Sequence, residues 1–214
     1  MLSRPKPART SRTRVVKLGP RFLNAFLFAA EKHAGQVRKA SSIPYIAHLM
    51  GVASLVLEYG GDEDAAIAAL LHDVVEDCGG VPTLKEVRRK FGPRVAKIVD
   101  GCTDSYTEPK LPWRERKENY LGHLKTADAA TKLVSAADKL NNVRSIVSDY
   151  RAVGKSVWSR FNGGREGTLW YYRALLQEFL RHKPDRLVRE FALAVRELES
   201  QAKRASLRRS KKVK

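Results

Sequence analysis

The octapeptide Leu70-Leu71-His72-Asp73-Val74-Val75-Glu76-Asp77 sets four ionisable side chains against an apolar run that begins at Ala65. His72 and Glu76 are four residues apart, as are Asp73 and Asp77, so on a helix each pair shares a face. Adjacent His72 and Asp73 can meet on one ion where the helix turns its edge toward it. An imidazole nitrogen beside a carboxylate oxygen suits Mn²⁺, Fe²⁺ or Zn²⁺. A thiolate-rich structural zinc site needs more than Cys78 and Cys102, the two cysteines of the chain. Glu76 and Asp77, one turn further on, are placed to orient and deprotonate water. A His-Asp dipeptide alone fits a solvated helix edge equally well, so its meaning depends on what else the chain brings to it.

Outward from that stretch the chain reads as helices. Phe22, Leu23, Phe26, Ala29 and Ala30 keep a helical period up to His33, and Ile46, Leu49, Val52, Ala53 and Val56 repeat it until Gly60-Gly61. Asp62 or Asp64 can cap the next helix, Ala65 to about Asp77. The pattern Thr83-Leu84-Lys85-Glu86 predicts a capping box opening a short helix that ends near Phe91-Gly92. Pro93 suits the first turn of another. Trp113 to Leu124, Ala127 to about Tyr150, Gly167 to Arg181 and Asp185 to Lys203 follow. Sustained period-two alternation is scarce and no fixed-period repeat is visible. The expected fold is an all-α single domain, a helical bundle over residues 22–200. With 214 residues and 43% hydrophobic side chains, one core of ordinary size can form.

Charge is concentrated at the ends. Residues 1–21 hold seven basic side chains and no acid, and residues 201–214 hold seven more, so fourteen of the eighteen net positive charges lie there. Both segments read as flexible basic tails, able to contact RNA nonspecifically through phosphate neutralisation. A basic tail carries no groove-reading element, so a dedicated nucleic-acid role does not follow from it. The first residues lack an apolar core of the secretory kind, and Pro5, Pro7 and Pro20 leave little room for an amphipathic transit helix. The longest apolar run, Ala65 to Leu71, is too short to span a membrane. The expected location is the cytoplasm, and nonspecific RNA and a second copy of the chain as a homodimer are compatible partners.

Two further residues bear on the octapeptide. His48 lies on an otherwise apolar helix after Pro44-Tyr45-Ile46, and Asp138 lies among small apolar neighbours in Ala136-Ala137-Asp138-Lys139-Leu140. A carboxylate buried there needs a cation, an ion or a cluster of donors. His48, His72, Asp73 and Asp138 together make a two-nitrogen, two-oxygen ligand set from three helices, leaving positions for water and substrate.

These stretches, with Ala137-Asp138-Lys139-Leu140-Asn141-Asn142-Val143-Arg144, resemble the HD-type hydrolase domain of the RelA/SpoT alarmone enzymes. The length makes the chain most similar to stand-alone small alarmone hydrolases. The likeness runs from about Phe22 to Asp149 and includes Lys32-His33-Ala34-Gly35-Gln36, Phe91-Gly92 and Thr103-Asp104. Val157 to Arg165 and Leu169 to Arg173 are similar to bacterial stand-alone members. The resemblance implies an all-α HD fold, one bound Mn²⁺, and hydrolysis of the 3′-pyrophosphate of ppGpp or pppGpp. It makes His48, His72, Asp73 and Asp138 the metal ligands and Glu76 and Asp77 the pair that positions and activates water. Arg38 and Lys39 match the basic pair that contacts base and phosphate. Asn142 matches a nucleotide-binding asparagine, with Lys139 and Arg144 as further substrate residues. Physically, Arg38 offers a planar fork of donors and Lys39 a point charge for phosphate.

The chain departs from the family at Arg38-Lys39-Ala40-Ser41-Ser42-Ile43, where an Arg-Lys-Asp-Gly pattern is usual, and at Leu49, where the family has proline. The altered loop leaves open an adenine alarmone (ppApp), a nucleoside phosphate, or the 2′-phosphate of NADPH as substrates of an HD phosphohydrolase. A non-enzymatic RNA-associated module using the basic tails is the remaining alternative. Trp158, Phe161, Trp170, Tyr171 and Tyr172 read as helix-packing contacts before they read as a nucleotide wall. Cys78 reads as a small packed residue, and His123 and His182 as surface residues.

Overall fold

The computed structural model describes residues 15–39, 41–106, 109–181 and 184–210, with side chains as far as Lys203. Helices α1 (Pro20–Lys32), α2 (Ile46–Glu58), α3 (Glu63–Leu71), α4 (Val74–Asp77), α5 (Gly80–Phe91) and α6 (Pro93–Cys102) form the first half. Helices α7 (Trp113–Thr126), α8 (Ala129–Val153), α9 (Gly164–Phe179) and α10 (Arg186–Ser210) form the second, with a 3-10 turn at Gly154–Arg160 between α8 and α9. Among the described residues no strand forms, and the one extended feature is an isolated antiparallel bridge between Val37 and Pro44. The architecture is the all-α one expected. No helix in the described residues is long and apolar enough to cross a membrane.

Helix α3 is the centre of the fold. Every residue from Ala65 to Leu71 is buried, so this helix is apolar on all sides and needs neighbours on all sides. Helices α1, α2, α6 and α8 supply them. Asp62 caps α3 by accepting from the Ala65 amide at 3.0 Å. Long α8 is capped by Asp128, which accepts from the Thr131 amide at 2.9 Å, and it ends at Gly154, whose φ of 63° favours glycine. Its inner face runs past α2, α3, α6 and α10.

Three local expectations are corrected. The helix expected from Ala65 to Asp77 is two helices: α3 stops at Leu71, and α4 restarts at Val74. Apolar residues continue through Val74-Val75, both buried, so the hydrophobic period carries no sign of the break. Thr83 does not open a capping box. Helix α5 begins earlier, at Gly80, and the Thr83 hydroxyl donates to the Cys78 carbonyl at 2.8 Å while Glu86 pairs with Lys32 at 3.0 Å. Helix α10 continues to Ser210, into the basic segment read as a tail, and Ala202 is buried. At the other end, Gly19 and Arg21 are held against Glu63 and Asp64. Residues 1–14 and 211–214 of the two tails lie outside the described residues, as does His182.

Candidate active site

The break between α3 and α4 is what points His72 and Asp73 at one place. On an unbroken helix, neighbours diverge by about 100°; here both stand at the junction and meet His48 from α2 and Asp138 from α8. His72 Nε2 lies 3.0 Å from Asp73 Oδ2 and 3.6 Å from Asp138 Oδ1. His48 Nε2 lies 3.6 Å and 3.3 Å from the same two oxygens. One donor atom from each of His48, His72 and Asp138 falls within 4.8 Å of the others, and all three residues are buried. Asp73 touches both imidazoles at the edge of that trio.

The outer ring atoms fix how the inner ones face. His72 Nδ1 is 2.7 Å from the Ala69 carbonyl, which only accepts, so Nδ1 carries the proton. Nε2 of the neutral ring then offers a lone pair to the cluster, and that buried nitrogen has no hydrogen-bond partner among the described residues. His48 Nδ1 is held by Asn141 Oδ1 at 2.8 Å in the same sense. Two imidazole lone pairs and a carboxylate oxygen converging in a buried pocket fit a divalent cation of the Mn²⁺, Fe²⁺ or Zn²⁺ kind. Without an ion, burial opposes the His72 charge, but Asp73 and Asp138 overcome it and hold the imidazolium well above its ordinary range. Burial likewise opposes ionisation of Asp138, yet Lys139 and the two histidines hold it well below the carboxylate range. A proton and a metal thus compete for the same nitrogens.

Each carboxylate has further support. Tyr45 donates to Asp73 Oδ2 at 2.5 Å. Lys139 Nζ is 2.6 Å from Asp138 Oδ2, and Asn142 Nδ2 donates to Asp138 Oδ1 at 2.5 Å. Asn142 Oδ1 in turn accepts from Arg38 at 3.0 Å, which ties the loop carrying Arg38 to a ligand of the cluster. That loop is folded on itself by the Arg38 amide to the Ile43 carbonyl (2.8 Å) and the Tyr45 amide to the Gln36 carbonyl (2.9 Å).

Glu76 and Asp77 stand one turn beyond. Burial, with Asp104 and Asp73 nearby, raises the Glu76 carboxyl above its ordinary range, against Lys110 at 3.0 Å. Burial also raises Asp77, whose Oδ2 accepts from Gln36 at 3.1 Å. Since Gln36 donates there, its Oε1 accepts from His33 Nδ1 at 2.6 Å, and the His33 ring stacks on Tyr45. Lys110, Arg116, Lys117 and Asp104 complete the surroundings of Glu76, and sequence reasoning gave none of them a role. Arg116 Nη1 lies 3.7 Å from Glu76 and 2.6 Å from Asp104, and Lys117 also pairs with Asp104. Burial opposes it, but Lys117 and Arg116 hold Asp104 down to about 2.

A cavity of about 600 Å³ opens beside the cluster. Arg38, Lys39, Arg116, Lys117, Lys139 and Arg160 line it, against two carboxylates, Glu76 and Asp149. Asn142 lines it as well. Of the aromatics, Phe161, Tyr171 and Tyr172 form part of its wall, whereas Trp158 is buried in the core and Trp170 packs on Trp113 and Arg114. Arg144 is not at the cavity; its guanidinium pairs with Glu190 of α10 at 3.0 Å. Cys78 is half-buried, with its thiol toward the Lys32 carbonyl and His33.

Residues 25–169 match the HD domain, so the chain belongs to the HD domain family. Within it, the guanosine-3′,5′-bis(diphosphate) 3′-pyrophosphohydrolase MESH1 of Xenopus tropicalis is 44% identical over 127 residues, 58% of this chain and 68% of the relative. The Homo sapiens MESH1 is 42% identical over the same shares. The Aquifex aeolicus enzyme of the same name, without the MESH1 suffix, is 42% identical over 57% of this chain, but the match spans 17% of that protein. Among solved structures, a metazoan orthologue of SpoT, described as hydrolysing ppGpp with a role in starvation responses, superposes with a TM-score of 0.71. Its sequence identity is 27%, covering 86% of this chain and 98% of that one. The Listeria monocytogenes EGD-e protein lmo0812 superposes with a TM-score of 0.62 at 31% identity, over 69% and 96% of the two chains.

Proposed function

We propose that this protein is a Mn²⁺-dependent hydrolase that removes the 3′-pyrophosphate of ppGpp or pppGpp, releasing GDP or GTP and pyrophosphate. The observation that carries the reading is the buried convergence of His48, His72 and Asp138 beside a basic cavity with Glu76 in its lining. The similarity to MESH1 and SpoT-type relatives supports the choice of substrate.

His48, His72 and Asp138 would hold the ion, with Asp73 as fourth ligand. Once bound, it supplies Lewis acidity toward the pyrophosphate and lowers the pKa of water. Glu76 accepts the proton of the attacking water, and its raised pKa brings it nearer the working pH of a general base. Asp77, held by Gln36, orients that water. The water oxygen bonds to the phosphorus attached to O3′, the P–O3′ bond breaks, and O3′ takes a proton to become the hydroxyl of the product. Lys139, Arg116 and Lys117 offset the negative charge of the pyrophosphate. Arg38, Lys39 and Asn142 hold the nucleoside and its phosphates.

The test is product analysis after incubation with ppGpp, ppApp and NADPH, with and without Mn²⁺. The expected result is GDP and pyrophosphate from ppGpp, abolished by chelation. The altered loop after Lys39 favours one second reading, an adenine alarmone, which ppApp turnover without ppGpp turnover would establish. An inert protein that retains RNA in a salt-dependent manner, lost on removing residues 1–14 and 211–214, would support the tail-based binding module instead.

A further inference from the structure

The first acid of the chain is Glu31. Before it, residues 1–20 hold six cations: Arg4, Lys6, Arg9, Arg12, Arg14 and Lys17. Five large apolar residues of the same acid-free stretch stand in water: Val15 (81% exposed), Val16 (38%), Leu18 (44%), Leu23 (63%) and Leu27 (57%). One exposed leucine on a surface carries no meaning. Leu23 and Leu27, however, are four residues apart on α1, and at about 100° per residue they fall opposite the buried Ala25, Phe28 and Ala29. Half-buried Phe26 and Ala30 border them on one side, and Glu31 closes the strip a turn beyond Leu27. The Gly19 amide donates to Glu63 Oε1 at 2.6 Å, and Arg21 pairs with Asp64 at 2.8 Å. The basic segment therefore leaves the body within one turn of Leu23.

Charge decides what suits this apolar face. Two such faces brought together would also bring twelve cations of residues 1–20 together, which like-charge repulsion opposes. Residues 1–14 of the same chain offer Met1 and Leu2 as their large apolar side chains, little to cover the strip with. RNA takes the cations through its phosphates but leaves the leucines in water. An anionic bilayer meets both demands: its phosphates attract the cations, and its headgroup–acyl boundary takes an apolar helix face lying in the plane of the surface.

We propose that the outer face of α1, with Val15, Val16 and Leu18, seats on an anionic lipid surface, Leu23 and Leu27 entering the headgroup–acyl boundary and the cations of residues 1–20 pairing with lipid phosphates. The contact is peripheral, since no helix in the described residues is long and apolar enough to cross the bilayer. Neither leucine lines the cavity. The contact is thus independent of the reaction proposed above and stands or falls separately from it.

The experiment floats the whole chain with vesicles of equal parts phosphatidylglycerol and phosphatidylcholine, and with phosphatidylcholine alone. The chain should rise with the mixed vesicles and stay down with the neutral ones. Leu23→Gln/Leu27→Gln should lower partition about tenfold, and Arg12→Gln/Arg14→Gln about fivefold for each charge. Leu27→Trp reports the same contact without weakening it. Lipids brominated in the acyl chain should quench its emission beyond the quenching of the three native tryptophans in the wild type. Where circular dichroism shows that the leucine pair has lost helicity, this quenching decides. Absence of flotation overturns the proposal. Flotation that the leucine pair leaves unchanged, with no excess quenching, overturns it too, since cations alone then make the contact. Without vesicle binding, RNA retained equally by the wild type and the leucine pair assigns the cations to RNA. Without vesicle binding, a dimer in sedimentation that the leucine pair dissolves assigns the strip to a second copy. Either result overturns the lipid contact.

Discussion

Replacing Asp138 by asparagine keeps the shape of the side chain and removes its charge, so the consequence follows from its partners. Lys139 Nζ at 2.6 Å, Asn142 Nδ2 at 2.5 Å and the two imidazoles all face this carboxylate, which is 5% exposed. In the ion-free protein, Asp138→Asn leaves the Lys139 ammonium buried without its counter-charge. Breaking one side of such a pair costs 3–5 kcal/mol, and the lower end, about 3 kcal/mol, applies here because Lys139 borders the cavity. For a domain of this size that lowers Tm by about 6–12 °C. Adding Mn²⁺ at a hundred times its Kd stabilises the wild type by about 2.7 kcal/mol, a rise of roughly 5–11 °C. Asp138→Asn loses that rise, because one of three converging ligands has exchanged a charged oxygen for a neutral one. Thermal unfolding followed by circular dichroism, in chelator and in Mn²⁺, separates the two effects. An unchanged Tm in chelator would show that the Lys139 pair is not buried as described. A Mn²⁺-dependent rise equal to that of the wild type would refute the ligand assignment.

Glu76→Gln should lower turnover of ppGpp by about 10²–10⁴ while keeping the Mn²⁺-dependent rise in Tm, since Glu76 acts on water and stands outside the ligand trio. Parallel loss of both would make it a ligand instead. Gly51→Ala tests the outer support of His48. A Cβ at Gly51 would meet Asn141 Nδ2 at 2.6 Å, so the amide must swing away and release His48 Nδ1. Mn²⁺ affinity, measured by titration, should weaken about 10–100-fold, and an unchanged Kd would show that Asn141 does not orient the ring. Asp128→Ala removes the cap of α8 and should cost about 1 kcal/mol, near 2–4 °C in Tm at neutral pH. Lys97 and the Thr131 amide hold Asp128 at about 2, below its ordinary 3.8, so its contribution is present above the ordinary value and is lost as pH falls through about 2. The difference in stability between wild type and variant should therefore close in that window, and a difference that widened with acid would contradict the assignment.

Much of this was legible from residue pattern because the site is built from short helical motifs. His72 and Asp73 are adjacent, and His48 and Asp138 each interrupt an apolar helix face, where a polar side chain needs a reason to be buried. What the pattern hid has identifiable causes. The break after Leu71 is masked by the apolar residues that continue through Val75. The resemblance groups Arg144 with Asn142 as a substrate residue, yet two residues on a helix are separated by about 200°. Arg144 faces away from Asn142 and pairs with Glu190 on α10. Lys110, in the segment that leads into α7, and Arg116 and Lys117, on its first turn, reach Glu76 and Asp104 only through tertiary packing. No periodicity announces such contacts, although a loop followed by two adjacent cations, after a motif containing Asp104, was a usable hint.

The chemistry of Asn142 shows why ligand cluster and nucleotide loop are not independent parts. Its Nδ2 donates to Asp138 and its Oδ1 accepts from Arg38, so the two ends of one amide serve two different elements. A carboxylate at this position would repel Asp138, and an aliphatic side chain would remove one hydrogen bond from each partner. A group that is donor at one end and acceptor at the other meets both demands at once. Asn141, one residue earlier, meets the same demand at His48, with its oxygen accepting from the ring. Adjacent amides on α8 thereby set the direction of a histidine on α2 and of an arginine on the loop before it. The position of the loop is in this way set by the same helix that supplies Asp138, and whatever displaces Arg38 acts on a hydrogen bond of that carboxylate.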